Sequence, residues 1–389
     1  MKNMNKLLSR AYLNNVASFF LFFMMRILFT SLFSVFLIDQ GYSALNVSIV
    51  STVALVASFF GVPIIGRATD IYGQKRICVF LLLISAAFGI LFAISKNLII
   101  SGVSYSIIIV CINTLHPLIE RNATQTEFHY SSVRIWGTIG NAIGTQLGGI
   151  LYQYVSPSSV YISFTIISII MLIMQKDLSE KTIQENTNTP SKNIVPLKLS
   201  SCFVIYIIIV FLFYAAMDSK TLYLTAFLQS VGFDINSAST ILFFSSMIEV
   251  PVVLFGGKIV DKWDSKKLVV SCLILLIIQL TVYAFLTSHI IIIIATLLSN
   301  CVVSMFYIMI NMKVIHEMID NDHQNSALTI TTGVRSISAV IGQLVCGKLV
   351  DMSSYHLAFT VLAGFVLTAL FISFTIKFPH NSKSSTLYN

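Results

Sequence analysis

Residues 66–76 read GRATDIYGQKR, and residues 257–267 read GKIVDKWDSKK. Both segments follow the pattern G-x3-D-x4-K-[KR], and the second copy begins 191 residues after the first. Each copy comes directly after a long apolar run, in the same relative position of its half of the chain. The paired segments therefore predict a chain built from two similar halves.

The sequence around the two copies is strongly apolar. Of the 389 residues, 56% are hydrophobic and only 10% are charged, whereas about 25% are charged in a typical soluble domain. The apolar residues form runs of about 18–25 residues, the length that crosses the hydrocarbon core of a bilayer. This pattern excludes a large soluble enzyme, and we expect a multi-pass membrane protein embedded in a lipid bilayer.

The apolar runs predict an all-α membrane protein with 12 transmembrane helices in two six-helix halves. The expected helices are 12–38, 45–66, 77–95, 98–121, 131–153 and 158–175 in the first half, and 200–228, 236–257, 267–287, 289–313, 325–349 and 355–377 in the second. A hydrophilic stretch separates them, so the expected organisation is a half at 1–175, a linker at 176–199 and a half at 200–389. The first run exceeds the core of a signal peptide, about 7–15 residues, and is expected to be retained.

The positions of lysine and arginine predict the orientation. If both termini are cytoplasmic, eighteen basic residues fall in cytoplasmic segments, and only Lys96 falls in an outer loop. Such an excess is typical of the cytoplasmic side of a membrane. We therefore expect cytoplasmic N- and C-termini in the plasma (inner) membrane of a bacterium, and we interpret the net charge of +8 as an orientation signal, with no nucleic-acid partner.

The sequence contains no pattern typical of a cofactor or metal site. The six cysteines lie in or beside apolar runs, without CxxC spacing or nearby histidines, so neither a disulfide framework nor a metal centre is expected. The G-x4-G-K-[ST] loop of an ATP-driven pump does not occur. We expect no enzyme activity, no metal and no cofactor, and a monomer.

The segment at 66–76 closely resembles the loop motif of the major facilitator superfamily, G-x3-D-[RK]-x-G-[RK]-[RK]. Ile71 and Gln74 replace basic residues of that motif, and Asp264 stands where glycine is usual in the second copy. The resemblance implies the major facilitator fold and a latch in which Asp70 faces the positive N-terminal end of a second-half helix, closing the cytoplasmic side in the outward-facing state. The expected gating residues are Gly66, Asp70, Gly73, Lys75 and Arg76, with Gly257, Asp261, Lys262, Lys266 and Lys267.

Several helix segments resemble lactose permease-like symporters and bacterial sugar efflux transporters. They are the R-x-W-G-x-x-G run from Arg134, the segment Tyr214–Asp218, and Glu249-Val250-Pro251. In these relatives the arginine that corresponds to Arg134 helps to hold a substrate hydroxyl. Lactose permease has a lysine near the position of Arg335, which implies that a positive charge at this position is sufficient for function. The expected substrate-binding residues are Arg26, His116, Arg134, Trp136, Asn141, Tyr214, Asp218, Glu249 and Arg335.

The charged members of this set predict a central cavity without the resemblance. A charge at the middle of a bilayer costs at least about 2.5–3.5 kcal/mol, so these residues should face the interior and compensate one another. Purely structural ion pairs are the alternative for any one of them. Asp218 and Glu249 are the expected proton-coupling groups, because the proton affinity of a carboxylate depends on its burial and on a moving arginine partner.

These features predict a secondary active transporter that moves a small polar, sugar-like solute by alternating access, coupled to protons, in a direction that the sequence leaves open. The alternative is multidrug efflux by drug:proton antiport, because the glycines from Gly140 to Gly149 resemble an antiporter motif, although Thr145 replaces its proline. Close helix packing explains these glycines equally well. A remoter alternative is a non-transporting sensor on a transporter scaffold.

Overall fold

The computed structural model describes residues 10–124, 130–175, 201–319 and 323–376. Within them the protein is helical, without β-strands, which confirms the predicted class. The predicted linker 176–199 lies outside the described residues. In chain order the helices are α1 (Arg10–Thr30), α2 (Phe33–Asp39), α3 (Ala44–Tyr72), α4 (Gln74–Ile94), α5 (Leu98–Thr124), α6 (Tyr130–Tyr154), α7 (Pro157–Gln175), α8 (Ser201–Ser230), α9 (Ile235–Lys262), α10 (Ser265–Phe285), α11 (His289–Met318), α12 (Gln324–Met352) and α13 (Tyr355–Thr375).

Eleven described segments, with α1 and α2 joined as one, are long and apolar enough to cross a membrane. The predicted segment 131–153 forms α6 but is not among them, because Arg134, Asn141 and Gln146 make it more polar. Helix α6 packs against α1, α7 and α9. Its polar residues can therefore face protein, where they cost less than in lipid.

Two predicted helix boundaries differ from the structure. The predicted helix 12–38 is interrupted after Thr30, and Thr225 of α8 donates a hydrogen bond of 3.1 Å to the Ser31 carbonyl at this break. The predicted helix 45–66 continues to Tyr72, so Asp70 belongs to the last turn of α3 instead of the loop after it. Gly73, with φ +87°, ends that helix, because a positive φ suits a residue without Cβ.

The helices of the two halves pack in the same order. In α1–α7, helix α1 packs on α6 and α7, helix α3 on α5, and helix α4 on α5 and α7. In α8–α13 the corresponding pairs recur: α8 packs on α12 and α13, α9 on α11, and α10 on α11 and α13. The repeat seen in the sequence is therefore also a repeat of helix packing. The buried core is continuous across both halves, and its first-half part contains an aromatic cluster that includes Phe29, Phe33, Phe92, Tyr105, Tyr161 and Phe164.

The halves meet along α3 with α12, α6 with α9, and α2 with α8. In the first two pairs, the beginning of α3 contacts the end of α12, and the beginning of α9 contacts the end of α6. We call these two matching contacts the seam. A Cβ added to Gly347 of α12 would meet Ser48 Oγ and the Ala44 carbonyl oxygen, and one added to Gly149 of α6 would meet Ser239. Ser239 lies 191 residues after Ser48, so the two contacts are copies of each other.

Each seam contact also has a hydrogen-bond acceptor over a helix N-terminus. The Asp351 carboxylate of α12 accepts bonds from the Ala44 and Leu45 N–H groups of α3, at 2.7 and 2.9 Å. The Gln153 side chain of α6 accepts one from the Asn236 N–H of α9, at 2.8 Å. These N–H groups have no partner within their own helix, so the opposite half supplies it.

Further hydrogen bonds between the halves lie at the same end of the bundle. The Tyr223 hydroxyl of α8 donates to the Ala44 carbonyl at 2.6 Å, and Gln146 donates to the Asn236 side chain at 3.0 Å. Within the described residues, every hydrogen bond that joins the halves is at the seam end. We call the opposite end, which carries residues 66–76 and 257–267, the loop end.

The copies keep two different spacings. Residues of α3 and α9 are related by 191 positions, whereas Gly149 and Gly347 are related by 198. The seven additional residues lie between His289 and Gly347, a stretch of 58 positions against 51 from Leu98 to Gly149. Because the seam ends of α6 and α12 match, the added residues are at the loop end.

Candidate functional site

The second half contributes an ion pair over an aromatic ring. Arg335 of α12 donates to both carboxylate oxygens of Asp218 of α8, at 3.0 and 3.2 Å. Its guanidinium carbon lies 4.4 Å from the centroid of the Tyr214 ring, one helical turn before Asp218. Arg335 therefore makes a bidentate, charge-assisted pair and a cation–π contact at once, which is the strongest arrangement available to this side chain.

The first half contributes a looser cluster around Glu120 of α5. The Glu120 carboxylate lies 3.5 Å from His116 Nε2 and 3.9 Å from Arg134 Nε of α6. Neither distance is that of a good hydrogen bond. The His116 ring stacks on Phe22 and meets Phe23 edge-on, with centroids 5.8 and 5.5 Å apart.

Arg26 of α1 brings the two clusters together. It is exposed although it lies in the middle of the first membrane-spanning segment. Charges on both halves act on it: Arg134 and Glu120 of the first half, and Arg335 and Glu249 of the second. We interpret its exposure within the bundle as access to a central cavity between the halves, and the convergence of Arg26, Arg134, Arg335 and Glu249 there stays a prediction.

Helix α6 places Arg134 and Asn141 together but separates Trp136 from them. Gly144 is on the side of α6 that contacts α1, and Gly149 is on the side that contacts α9. At about 3.6 residues per turn, Arg134 and Asn141 lie between these two sides, where the halves meet. Trp136, 40% exposed, is on the opposite side, so the structure does not bring it to the cavity with Arg134.

Sequence reasoning omitted Phe22, Phe23 and Glu120 from the site. The Phe23 ring lies 4.9 Å from the Arg134 guanidinium carbon and 5.9 Å from that of Arg26. Phe23 precedes Arg26 by three residues and Glu120 follows His116 by four, the spacings that share a helix face. That spacing was a usable signal, but phenylalanine is too common in this chain to stand out.

A second buried polar network lies within the second half, away from the cavity. Lys220 of α8 is fully buried and donates to Gln279 of α10 at 3.0 Å. Gln279 donates to the Tyr283 hydroxyl at 2.8 Å, which lies 2.7 Å from Thr296 Oγ1 of α11. Lys220 follows Asp218 by only two residues, so the two side chains point to different sides of α8.

The predicted gating residues adopt different roles in the two copies. Asp70 is exposed and has no ion pair with any residue in the described ranges. Lys266 donates to the Phe374 and Ile376 carbonyls at the end of α13, at 2.9 and 3.1 Å. Lys267 lies 3.3 Å from Asp264 at the surface. The second copy thus binds a helix C-terminus, which favours positive charge.

The seam end contributes a polar group outside the membrane-spanning segments. The Asp234 side chain precedes α9 and accepts a hydrogen bond from the Ser237 N–H at 3.3 Å. Hydrogen bonding with Ser237 lowers the pKa of the Asp234 carboxyl below its usual value. A charged Asp234 suits the N-terminus of α9.

Comparisons with known proteins agree with this architecture. Residues 16–343 match the family model described as Major Facilitator Superfamily. Two solved structures of the nucleoside transporter NupG, one of them of a point mutant, are similar to the chain at 16% identity. The mutant structure has a TM-score of 0.82, and the other structure has a TM-score of 0.81. Each match covers 95% of this chain, together with 100% of the mutant chain and 99% of the other chain. A comparison with curated protein sequences found no match.

Proposed function

Because this chain belongs to the major facilitator superfamily, we propose that it is a secondary active transporter for a small, polar, hydroxylated solute. The observation that carries this proposal is that both halves hold arginines beside aromatic rings in the bundle helices: Arg26 and Arg134 beside Phe23 in the first half, and Arg335 beside Tyr214 and Asp218 in the second. A site shared by two halves can bind a solute on one side of the membrane and release it on the other when the halves rock.

The residues of this cavity suit a hydroxylated solute. Arg134 and Asn141 offer hydrogen-bond donors from the first half, and Tyr214, Asp218 and Arg335 offer a preformed polar surface from the second. His116, Glu120 and Glu249 add groups that can donate or accept according to protonation. A sugar or a nucleoside has the complementary hydroxyl groups.

The proposed orientation identifies the conformational state. With cytoplasmic N- and C-termini in the plasma membrane, the seam lies on the outer side and the loop end lies in the cytoplasm. The hydrogen bonds between the halves in the described ranges are then all on the outer side. This arrangement is an inward-facing state, and an exposed Asp70 is what an open cytoplasmic latch requires.

We assign proton coupling to Glu249 and Asp218. Asp218 is held by Arg335 at 3.0 Å, whereas Glu249 acts on Arg26 across the cavity. Movement of the halves changes the distance between each carboxylate and its arginine, and so changes its affinity for a proton.

Uptake into proteoliposomes with an imposed proton gradient tests this function. We expect saturable uptake of a sugar or nucleoside, abolished by a protonophore. Glu249→Gln should remove the pH dependence of accumulation and retain part of the binding, while Glu317→Gln, at the loop end of α11, should behave as wild type. Unchanged pH dependence in Glu249→Gln would move the coupling to Asp218. Transport of ethidium instead of polar solutes would favour drug efflux, and binding without flux would favour a sensor.

A further inference from the structure

Arg26 is an unusual arginine for its position. Its guanidinium makes no hydrogen bond and no ion pair within 4.0 Å with any residue in the described part of the chain. Its one close contact there is the Phe23 ring, at 5.9 Å. A charge held within a membrane-spanning bundle normally has a partner, because an uncompensated one is costly.

Arg134 is only slightly better satisfied. In the described ranges its Nε lies 3.9 Å from the Glu120 carboxylate, and its guanidinium carbon lies 4.9 Å from the centroid of the Phe23 ring. Glu120 also lies beside His116, so it serves two partners. The guanidinium of Arg134 has a planar set of donors that matches a carboxylate or phosphate. Arg335 uses this set for a bidentate bond to Asp218, whereas Arg134 has no bidentate partner among the described residues.

Two cations therefore flank one phenylalanine ring, and the described residues give them a single ion pair, the 3.9 Å contact of Arg134 with Glu120. Arg134 acts on Arg26 as a like charge, and like charges repel each other. Asp218 is already paired through both of its oxygens with Arg335. Glu249 acts on Arg26 from the second half, but no ion pair joins them. The cavity thus has a position where a negative group would be stabilised from two sides.

We propose that the transported solute carries an acidic group, a carboxylate or phosphate, which binds between Arg26 and Arg134 beside Phe23. This inference rests on the proposed function and narrows it from a hydroxylated solute to a hydroxylated acid. The acid lies against the first half, and its hydroxyl groups face Tyr214 and the Asp218–Arg335 pair. A neutral hydroxyl could accept a hydrogen bond from one arginine but could not offset the repulsion between two.

Binding of matched neutral and acidic solutes to the purified full chain tests this inference. The probes are glucose, glucuronate and glucose 6-phosphate, measured by calorimetry at low and high NaCl. We expect at least one acid to bind about 100-fold more tightly than glucose, equivalent to about 2.7 kcal/mol, and to weaken with salt. Comparing the two acids distinguishes a carboxylate from a phosphate.

Charge-removing variants locate the binding. Arg26→Gln and Arg134→Gln should each weaken binding of the acid at least about tenfold and weaken binding of glucose by a clearly smaller factor. Lys96→Gln, which removes one charge from an exposed loop, should leave both unchanged. If either glutamine variant fails to fold, the corresponding lysine variant is used, and it should bind the acid with intermediate affinity.

The outcomes separate this inference from the proposed function. Binding of glucose as tight as that of both acids, or failure of both acids to bind, overturns the acidic solute. Loss of acid binding in Lys96→Gln as well as in Arg26→Gln assigns the effect to net charge and also overturns it. The proposed function fails by a separate measurement, the absence of proteoliposome uptake for neutral and acidic solutes alike.

Discussion

Arg335 and Arg26 are two arginines of the membrane-spanning helices whose charges are satisfied in opposite ways. Arg335 has a complete set of partners within the protein, a bidentate carboxylate and an aromatic ring. Arg26 has only a ring at 5.9 Å and the more distant charges of both halves. The first is built as a fixed part of the cavity wall, and the second is left available for something that enters the cavity.

This contrast reverses one expectation at position 335. The sequence resemblance implied that lysine would be sufficient there, but lysine cannot make two parallel N–H···O bonds or stack on Tyr214. We expect Arg335→Lys to lower uptake at least about tenfold, since a bond to a charged group contributes about 1.5–3 kcal/mol, and to lower the unfolding temperature. Uptake and thermal unfolding at equal expression measure both effects. Arg67→Lys, at the exposed loop end of α3, is the matched control. Uptake by Arg335→Lys at the wild-type rate would mean that charge alone matters at this position.

Residue identities predicted the site only in part. Arg26, Arg134, Arg335 and Glu249 could be chosen from sequence because charges in apolar runs are costly wherever they point. Trp136 was chosen because of its neighbours in a motif, and its position on the far side of α6 depends on packing that a motif does not encode. These site residues remain predictions until binding is measured.

At the scale of elements, the seam is made by pairs of helices that approach closely. Gly347 and Gly149 allow α12 and α6 to contact the first turns of α3 and α9, and Asp351 and Gln153 then bind the exposed N–H groups. A cap of this kind contributes about 0.5–2 kcal/mol. Two such contacts are strong enough to hold the halves together and weak enough to be broken in each transport cycle.

A larger residue in the seam should therefore shift the equilibrium. In Gly347→Val the side chain would displace Ser48 and Tyr223, whose hydroxyl oxygen would lie 2.8 Å from the added Cβ. We expect the outer side to open, which can be measured as faster labelling of a single cysteine near the seam by a membrane-impermeant thiol reagent. Gly364→Val is the matched control, because nothing lies within 4 Å of a Cβ at that position. Equal labelling in both variants would contradict the role of the seam.

For the whole molecule, the apolar runs and the repeat predicted the fold well. Helix existence follows from hydrophobic length, which is a strong signal, and the family match confirms the resemblance drawn from residues 66–76. Helix ends were less predictable: α3 continues through Asp70 because a helix can extend beyond the apolar core, where water satisfies its backbone. The conformational state could not be predicted, since both states use the same sequence.

The latch makes a prediction at this scale. Asp70 has no ion pair in the described ranges of this state, so Asp70→Asn should leave its thermal unfolding unchanged and slow transport by destabilising the outward-facing state. The measurements are unfolding temperature and initial uptake rate. Asp264→Asn removes an exposed carboxylate paired only with Lys267 among the described residues and should transport normally. Wild-type transport by Asp70→Asn would exclude the latch.

The change of spacing from 191 to 198 residues between the two copies shows where this architecture tolerates insertion. The stretch from Ser239 to Gly347 is seven residues longer than that from Ser48 to Gly149, yet Gly347 still contacts Ser48 and Gly149 still contacts Ser239. The halves are therefore constrained against each other at the seam end and free to differ in length towards the loop end, where the predicted gating residues lie.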